Sequence, residues 1–217
     1  VETIGGHHWI ARRVPDEKCA IIPNQLGIDY FDFDDAFSDA REFMCSADLP
    51  DFIERHRLGR AAGAHGGMNG SHCNPRVIFG TATTKDHIYN TPRAWYMHRY
   101  LNPADAEGHT PESDDIPWCV EPENAVTIED VDFLLGSHFE GTPYDPYGTQ
   151  GTPESRHRYR PIGINRTGHM VAMQIRPYAP AESRSIMWIS YGSGAFTTAA
   201  PFYANVDDTP AYLRDTT

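Results

Sequence analysis

Residues 1–25 constrain the fold of this chain more than any other stretch. They hold Gly5-Gly6-His7-His8-Trp9-Ile10-Ala11, then Val14-Pro15-Asp16, then Ile21-Ile22-Pro23-Asn24-Gln25. Residues 7–14 alternate as a strand does, with Trp9, Ala11 and Arg13 on one face and His8, Ile10, Arg12 and Val14 on the other. Pro15-Asp16 reads as a turn, and residues 18–22 as the return strand of a hairpin. The unbroken apolar run at 19–22 suits a strand buried on both faces. Pro23 lacks the N–H that a strand ladder needs and ends the strand, so Asn24 is expected at the end of a sheet.

Further along, Phe31 and Phe33 are expected to face a core, with Asp32 and Asp34 turned to solvent. This acid cluster lacks the ligand spacing and closing Glu of an EF-hand. Ser46 or Asp48 can cap a helix over 48–58 with Pro50 in its first turn, placing Leu49, Phe52, Ile53 and His56 on one face. Gly59 would end that helix. Residues 59–75, with His65, His72 and Cys73, read as a loop before a short strand at 77–81. Asn90-Thr91-Pro92-Arg93 is a helix start, and the helix should stop before Pro103. That puts Arg93 in a first turn. The Pro- and acid-rich residues 103–124 read as a surface excursion. Thr127-Ile-Glu-Asp130 caps another helix, residues 141–161 form a long loop, and strands return at 169–176, 185–191 and 202–206. The expectation is one α+β domain over 1–217, mostly antiparallel, with two or three helices.

The formal charge of −12 on 217 residues argues against a nucleic-acid binder and against docking on anionic membranes. No apolar run approaches the roughly 18 residues of a membrane span. Cys19, Cys45, Cys73 and Cys119 are widely spaced and form no zinc-type pair. They read as reduced thiols, with one or two disulfides in an exported protein as the other reading.

No metal site is expected. His7 and His8, adjacent on a strand, should point to opposite faces, and His65, His72 and Cys73 lack an evident fourth ligand. Ser190-Tyr-Gly-Ser-Gly194 does not meet the Gly-x-Ser-x-Gly strand-to-helix pattern of a nucleophile elbow. Asn24 and Arg93 remain. An Asn amide offers an N–H suited to an oxyanion. An Arg fixed in a first turn can lower a thiol pKa or hold a carboxylate. Both residues also have a purely structural reading at this point.

Several stretches recur in order over nearly the whole chain. They are Gly-Gly-His-His-Trp-Ile-Ala with Val-Pro-Asp and Ile-Pro-Asn-Gln, Tyr89-Asn-Thr-Pro-Arg-Ala-Trp95, Val126-Thr-Ile-Glu-Asp-Val131, Gly141-Thr-Pro-Tyr-Asp145, Arg160-Pro-Ile-Gly163 and Pro201-Phe-Tyr203. Together they resemble the bacterial cysteine dipeptidases of the N-terminal-nucleophile (Ntn) hydrolase superfamily, to which the secernins are related. The resemblance covers the later part of such an enzyme. It implies an αββα sandwich, of which this chain supplies a part, and dipeptide hydrolysis by an N-terminal Cys whose own α-amine is the base. No cofactor is implied. More distant relatives, penicillin V acylase and bile-salt hydrolase, place an Asn in the oxyanion site and an Arg near the nucleophile. Asn24 and Arg93 match those positions.

Val1 has no nucleophilic side chain and the four cysteines are internal. The nucleophile is therefore expected in a preceding segment of the same precursor, and this chain alone is expected to be inactive. Its expected partners are a dipeptide substrate, that missing segment and further copies of itself, with no nucleic acid or membrane, in the cytoplasm. A related amidase acting on another small amide, or a non-catalytic secernin-like interaction protein, are the alternatives.

Overall fold

In the computed structural model, which describes residues 1–58, 68–208 and 211, the first hairpin is made by glycine and not by proline. Gly5 and Gly6 have φ of 135° and 59°, values that L side chains rarely adopt. They turn β1 (Glu2–Gly5) antiparallel onto β2 (His8–Arg12), with Thr3 opposite Trp9. This corrects the hairpin expected across Pro15-Asp16. The 18–22 segment shrinks to β3 (Cys19–Ala20), whose partner lies about a hundred residues away in sequence. Ile21 is buried but Ile22 is 57% exposed, so the segment is not covered on both faces.

The described residues divide into two compact units, Val1–Ala125 and Val126–Thr217. In the first, β2 also pairs with β5 (Phe43–Cys45), giving a three-stranded antiparallel sheet. Two small antiparallel pairs accompany it. They are β4 (Phe31–Asp32) with β6 (His72–Cys73), and β3 with β7 (Cys119–Val120). Ile10, Ile28, Phe31, Phe33, Phe43, Leu49, Ile53, Cys73 and Trp118 form the core cluster. Phe31, fully buried, meets Phe33 and Phe43 edge-on at ring-centroid distances of 5.0 and 5.2 Å, which is the favoured aromatic geometry. The inward placement of Phe31 and Phe33 is as expected.

The nearby acids have structural duties. Asp32 caps α1 (Phe33–Ala36), accepting from Asp34 N and Asp35 N. Asp35 accepts from the backbone N–H groups of Arg41, Glu42 and Phe43. Residues 103–124 are not a surface excursion. They carry β7 and bury Ala106, Ile116, Trp118 and Val120.

Among the described residues there are seven α-helices, where two or three were expected. The excess consists of short pieces started by local caps. After α2 (Leu49–Arg55), Asn74 and Pro75 start α3 (Pro75–Phe79), where a strand was expected. The Asn74 side chain accepts from Val77 N, and that cap overrides the β-leaning Val-Ile-Phe run. Thr83 and Asp86 form a capping box on α4 (Thr84–Tyr89), which runs into α5 (Thr91–Leu101) as expected from Pro92. His65 and Gly59 lie outside the described residues.

The second unit packs α6 (Ile128–Gly136), capped by a Thr127–Asp130 box as expected, near a three-stranded antiparallel sheet. The sheet is β8 (His169–Ile175), β9 (Ser185–Tyr191) and β10 (Ala200–Tyr203), in the order β10-β9-β8. The last strand starts two residues earlier than the pattern suggested. A short helix, α7 (Pro153–Arg156), interrupts the long 141–161 loop. The architecture is mixed α and β with antiparallel pairing throughout. No helix among the described residues is long and apolar enough to cross a membrane.

Candidate functional site

Asn24 and Arg93 are 69 positions apart in sequence, and both lie in the first unit. The structure brings them together: Arg93 Nη2 donates to Asn24 Oδ1 at 2.9 Å. The same nitrogen donates to Asn90 Oδ1 at 2.8 Å, and Arg93 Nε donates to the Tyr89 carbonyl. The α4–α5 junction makes this possible. Pro92 in the first turn fixes the start of α5, and Asn90 ends one helix and begins the next. Asn90 makes no side-chain cap bond, because both ends of its amide are committed elsewhere.

Behind Arg93 stands a buried carboxylate. Asn90 Nδ2 donates to Asp86 Oδ1 at 2.8 Å. Asp86 Oδ2 accepts from Thr81 Oγ1, Thr83 N and Thr83 Oγ1 at 2.8, 2.9 and 2.7 Å. Burial pushes the Asp86 pKa up, but the hydrogen bonds from Thr83, Thr81 and Asn90 outweigh it and bring it down to about 2. Gln25, next to Asn24, reaches the Thr81 carbonyl with its Nε2 at 3.4 Å. A buried anion thus holds Asn90, Asn90 helps to hold Arg93, and Arg93 holds the exposed amide of Asn24.

The chemistry of arginine decides which end of Asn24 faces out. A guanidinium only donates, so Asn24 must present its oxygen to Arg93. Its Nδ2 keeps two N–H donors directed away from that contact. The sequence pointed to Asn24 and Arg93 but not to Asp86. The Thr83-x-x-Asp86 capping pattern followed by Asn90 at i+4 was the signal that could have revealed it.

The four cysteines do not gather here as activated thiols. Burial raises all four pKa values, Cys45 to about 11 and Cys73 to about 12, the latter with a further push from Cys45. His72 pairs with the Tyr30 hydroxyl, and Cys73 is enclosed in the core. Ser190 is fully buried, its hydroxyl donating to the Thr197 carbonyl at 3.4 Å, which suits a structural role.

His7 and His8 are a correction. Their side chains do not diverge: both Nε2 atoms lie with Asp48 Oδ2 inside a 4.8 Å group.

The second unit holds a cleft of about 400 Å³ that the sequence reading missed. Phe133 and Trp188 give it apolar surface, while Glu129, Asp132 and Glu140 give it acidic groups. Asp132 Oδ1 is buried without a hydrogen-bond partner among the described residues. Glu129, Asp132, Phe133 and Gly136 fall at i, i+3, i+4 and i+7, one face of α6, and that spacing was available from the sequence.

Comparison with known proteins accounts for the ordered motifs. The model of a protein family described as "Peptidase family C69" matches residues 1–217. The chain belongs to peptidase family C69. A relative named "Dipeptidase", from Bifidobacterium longum (strain NCC 2705), is 55% identical over 223 residues, covering 100% of this chain and 41% of the relative. A "Probable dipeptidase A" of Streptococcus pyogenes serotype M18 is 46% identical over 216 residues, covering 100% of this chain and 43% of the relative. "Dipeptidase A" of Lactobacillus helveticus is 44% identical over 216 residues, with the same 100% and 43% coverage. The chain thus spans roughly two-fifths of the length of these relatives.

Proposed function

We propose that the complete protein hydrolyses dipeptides by an N-terminal-cysteine mechanism, and that this chain contributes the oxyanion donor and its positioning arginine. The observation that carries the reading is the Arg93–Asn24 hydrogen bond of 2.9 Å, which leaves the Asn24 Nδ2 donors available. In the proposed mechanism a Cys thiol outside these 217 residues gives its proton to its own α-amine. The thiolate attacks the peptide carbonyl. The developing oxyanion accepts from Asn24 Nδ2, and collapse breaks the C–N bond as the leaving amine takes the proton back from the α-ammonium. Water, deprotonated by the freed α-amine, then hydrolyses the resulting thioester.

Two further facts support this reading. The thiols present are pushed upward by burial and are poor nucleophiles near neutrality. The matched relatives carry dipeptidase names. In the same reading Arg93 places a fixed positive charge at the site, suited to a substrate carboxylate or a nearby thiolate.

The test is steady-state kinetics of the complete enzyme on a panel of dipeptides and N-acyl amides. Asn24→Ala should lower kcat by roughly 10²–10³ with little change in KM, the scale of one lost oxyanion donor. An unchanged kcat removes Asn24 from the mechanism. Preference for acyl amides over dipeptides would replace the substrate assignment.

A further inference from the structure

His7 does not lie in a strand. It occupies the turn after Gly5-Gly6, and β2 begins at His8. Side-chain alternation therefore does not apply between the two residues, and their rings lie together with centroids 4.1 Å apart. His7 Nε2 lies 2.8 Å from Asp48 Oδ2, and His8 Nε2 lies 3.5 Å from the same oxygen.

Two further observations bear on what this cluster can hold. The His8 side chain is only 10% exposed and stacks on Phe52 at 4.1 Å. Its buried Nε2 has no hydrogen-bond partner among the described residues, an arrangement native proteins avoid unless something else satisfies the atom. Asp48 stands at the N-cap of α2, yet its side chain makes no capping bond. An N-cap carboxylate ordinarily accepts from the first turn; this one reaches His7 instead.

We propose that His7, His8 and Asp48 bind a divalent transition-metal ion of the zinc type. Bonds of about 2.0–2.2 Å in tetrahedral geometry require donor atoms roughly 3.3–3.5 Å apart. The His8–Asp48 spacing of 3.5 Å already meets that requirement. The His7–Asp48 spacing of 2.8 Å must lengthen, and that adjustment falls on side chains that are 70% and 53% exposed. Two imidazoles with one carboxylate suit zinc, copper or nickel better than magnesium or calcium. Three protein ligands leave a position for water.

The frame is already fixed. Ser46 N donates to Trp9 O at 3.1 Å, and Trp9 N donates to Ser46 Oγ at 3.4 Å, tying the turn to the approach of α2. A bound ion would fasten the β1–β2 turn to the start of α2. This site shares no residue with the Asn24–Arg93 constellation and does not depend on the proposed dipeptidase reading.

The experiment titrates ZnCl2 into the complete protein after EDTA treatment and dialysis, by calorimetry with a non-thiol reductant present. A parallel titration follows Co²⁺ by its visible ligand-field absorption. One-to-one zinc binding is expected. His7→Ala and Asp48→Asn, both at exposed positions, should each weaken it at least about tenfold. The Co²⁺ bands should be lost in His7→Ala. Absence of binding at micromolar zinc overturns the proposal. So does binding of unchanged affinity in both variants, which would put the ion on other histidines or cysteines and leave His7–Asp48 as an ordinary ion pair.

Discussion

Asp86→Asn tests whether the buried carboxylate governs this part of the fold. The Asp86 pKa of about 2 compares with an ordinary value of 3.8. At about 1.4 kcal/mol per pKa unit, that gap is worth about 2 kcal/mol of folding stability at neutral pH. The sign follows from the depression: the contribution is complete above about pH 5 and disappears as pH falls from about 4 through 2. The substitution removes the charge and also breaks the donor pattern. Four hydrogen bonds point at the native carboxylate, whereas an amide presents one acceptor and one donor end. If its oxygen faces Thr81 and Thr83, its NH2 faces Asn90 Nδ2. Asn90 can relieve that only by rotating its own amide, which turns a donor onto Arg93. One lost hydrogen bond adds about 1 kcal/mol, so the expected cost at pH 7 is about 3 kcal/mol. Urea unfolding of both proteins from pH 3 to pH 7 measures it, followed by tryptophan fluorescence. Other carboxylates cancel in the difference. The gap should shrink by about 1 kcal/mol between pH 6 and pH 3. A gap that is flat or widens toward low pH refutes the argument.

The other expectations are simpler to state. A Cβ on Gly163 would lie 2.1 Å from the Gly136 carbonyl oxygen, and Gly163 N already donates to Ser137 O at 2.7 Å. Gly163→Ala should therefore cost at least about 2 kcal/mol in thermal or urea unfolding; a neutral result would mean that this backbone crossing is loose. With its pKa near 12, Cys73 should be the slowest of the four thiols to react with iodoacetamide at pH 8 in the native protein, and unfolding should abolish its protection. Peptide mapping showing Cys73 labelled as fast as Cys19 would contradict its burial.

What the sequence disclosed depended on whether the relevant forces were local. The starts of α5 and α6 were readable because Pro92 and the Thr127–Asp130 box act within one turn. The aromatic pair Phe31 and Phe33 was readable as core because large apolar residues have few other places to go. The first hairpin was misassigned because two turn signals competed, and positive φ at Gly5 and Gly6 outweighed Pro15-Asp16. The strand expected at 77–81 failed because propensity is a weaker signal than a cap with a satisfied N–H. His7 and His8 were read by strand alternation although one of them belongs to a turn. Asn24 and Arg93 stood out as candidates through the family resemblance. Their contact spans 69 positions and depends on Asp86, whose capping role alone gave no hint that it also anchors Asn90.

The polarity of that network separates two roles that Asn24→Ala would merge. Asn24 could matter as the acceptor that holds Arg93 or as the donor that holds an oxyanion, and alanine removes both. Asn24→Asp removes only the second. Its carboxylate still accepts from Arg93 Nη2 and gains an ion pair, worth at most about 1 kcal/mol at this exposed position. It has no N–H to give when ionised, and its negative charge opposes an oxyanion. Stability should therefore be unchanged or slightly higher, while kcat falls at least as far as in Asn24→Ala. Parallel unfolding curves and dipeptide kinetics of the complete protein decide the matter. If Asn24→Asp keeps near-native kcat, Asn24 is a latch for Arg93 and the donor assigned to the oxyanion must be sought elsewhere.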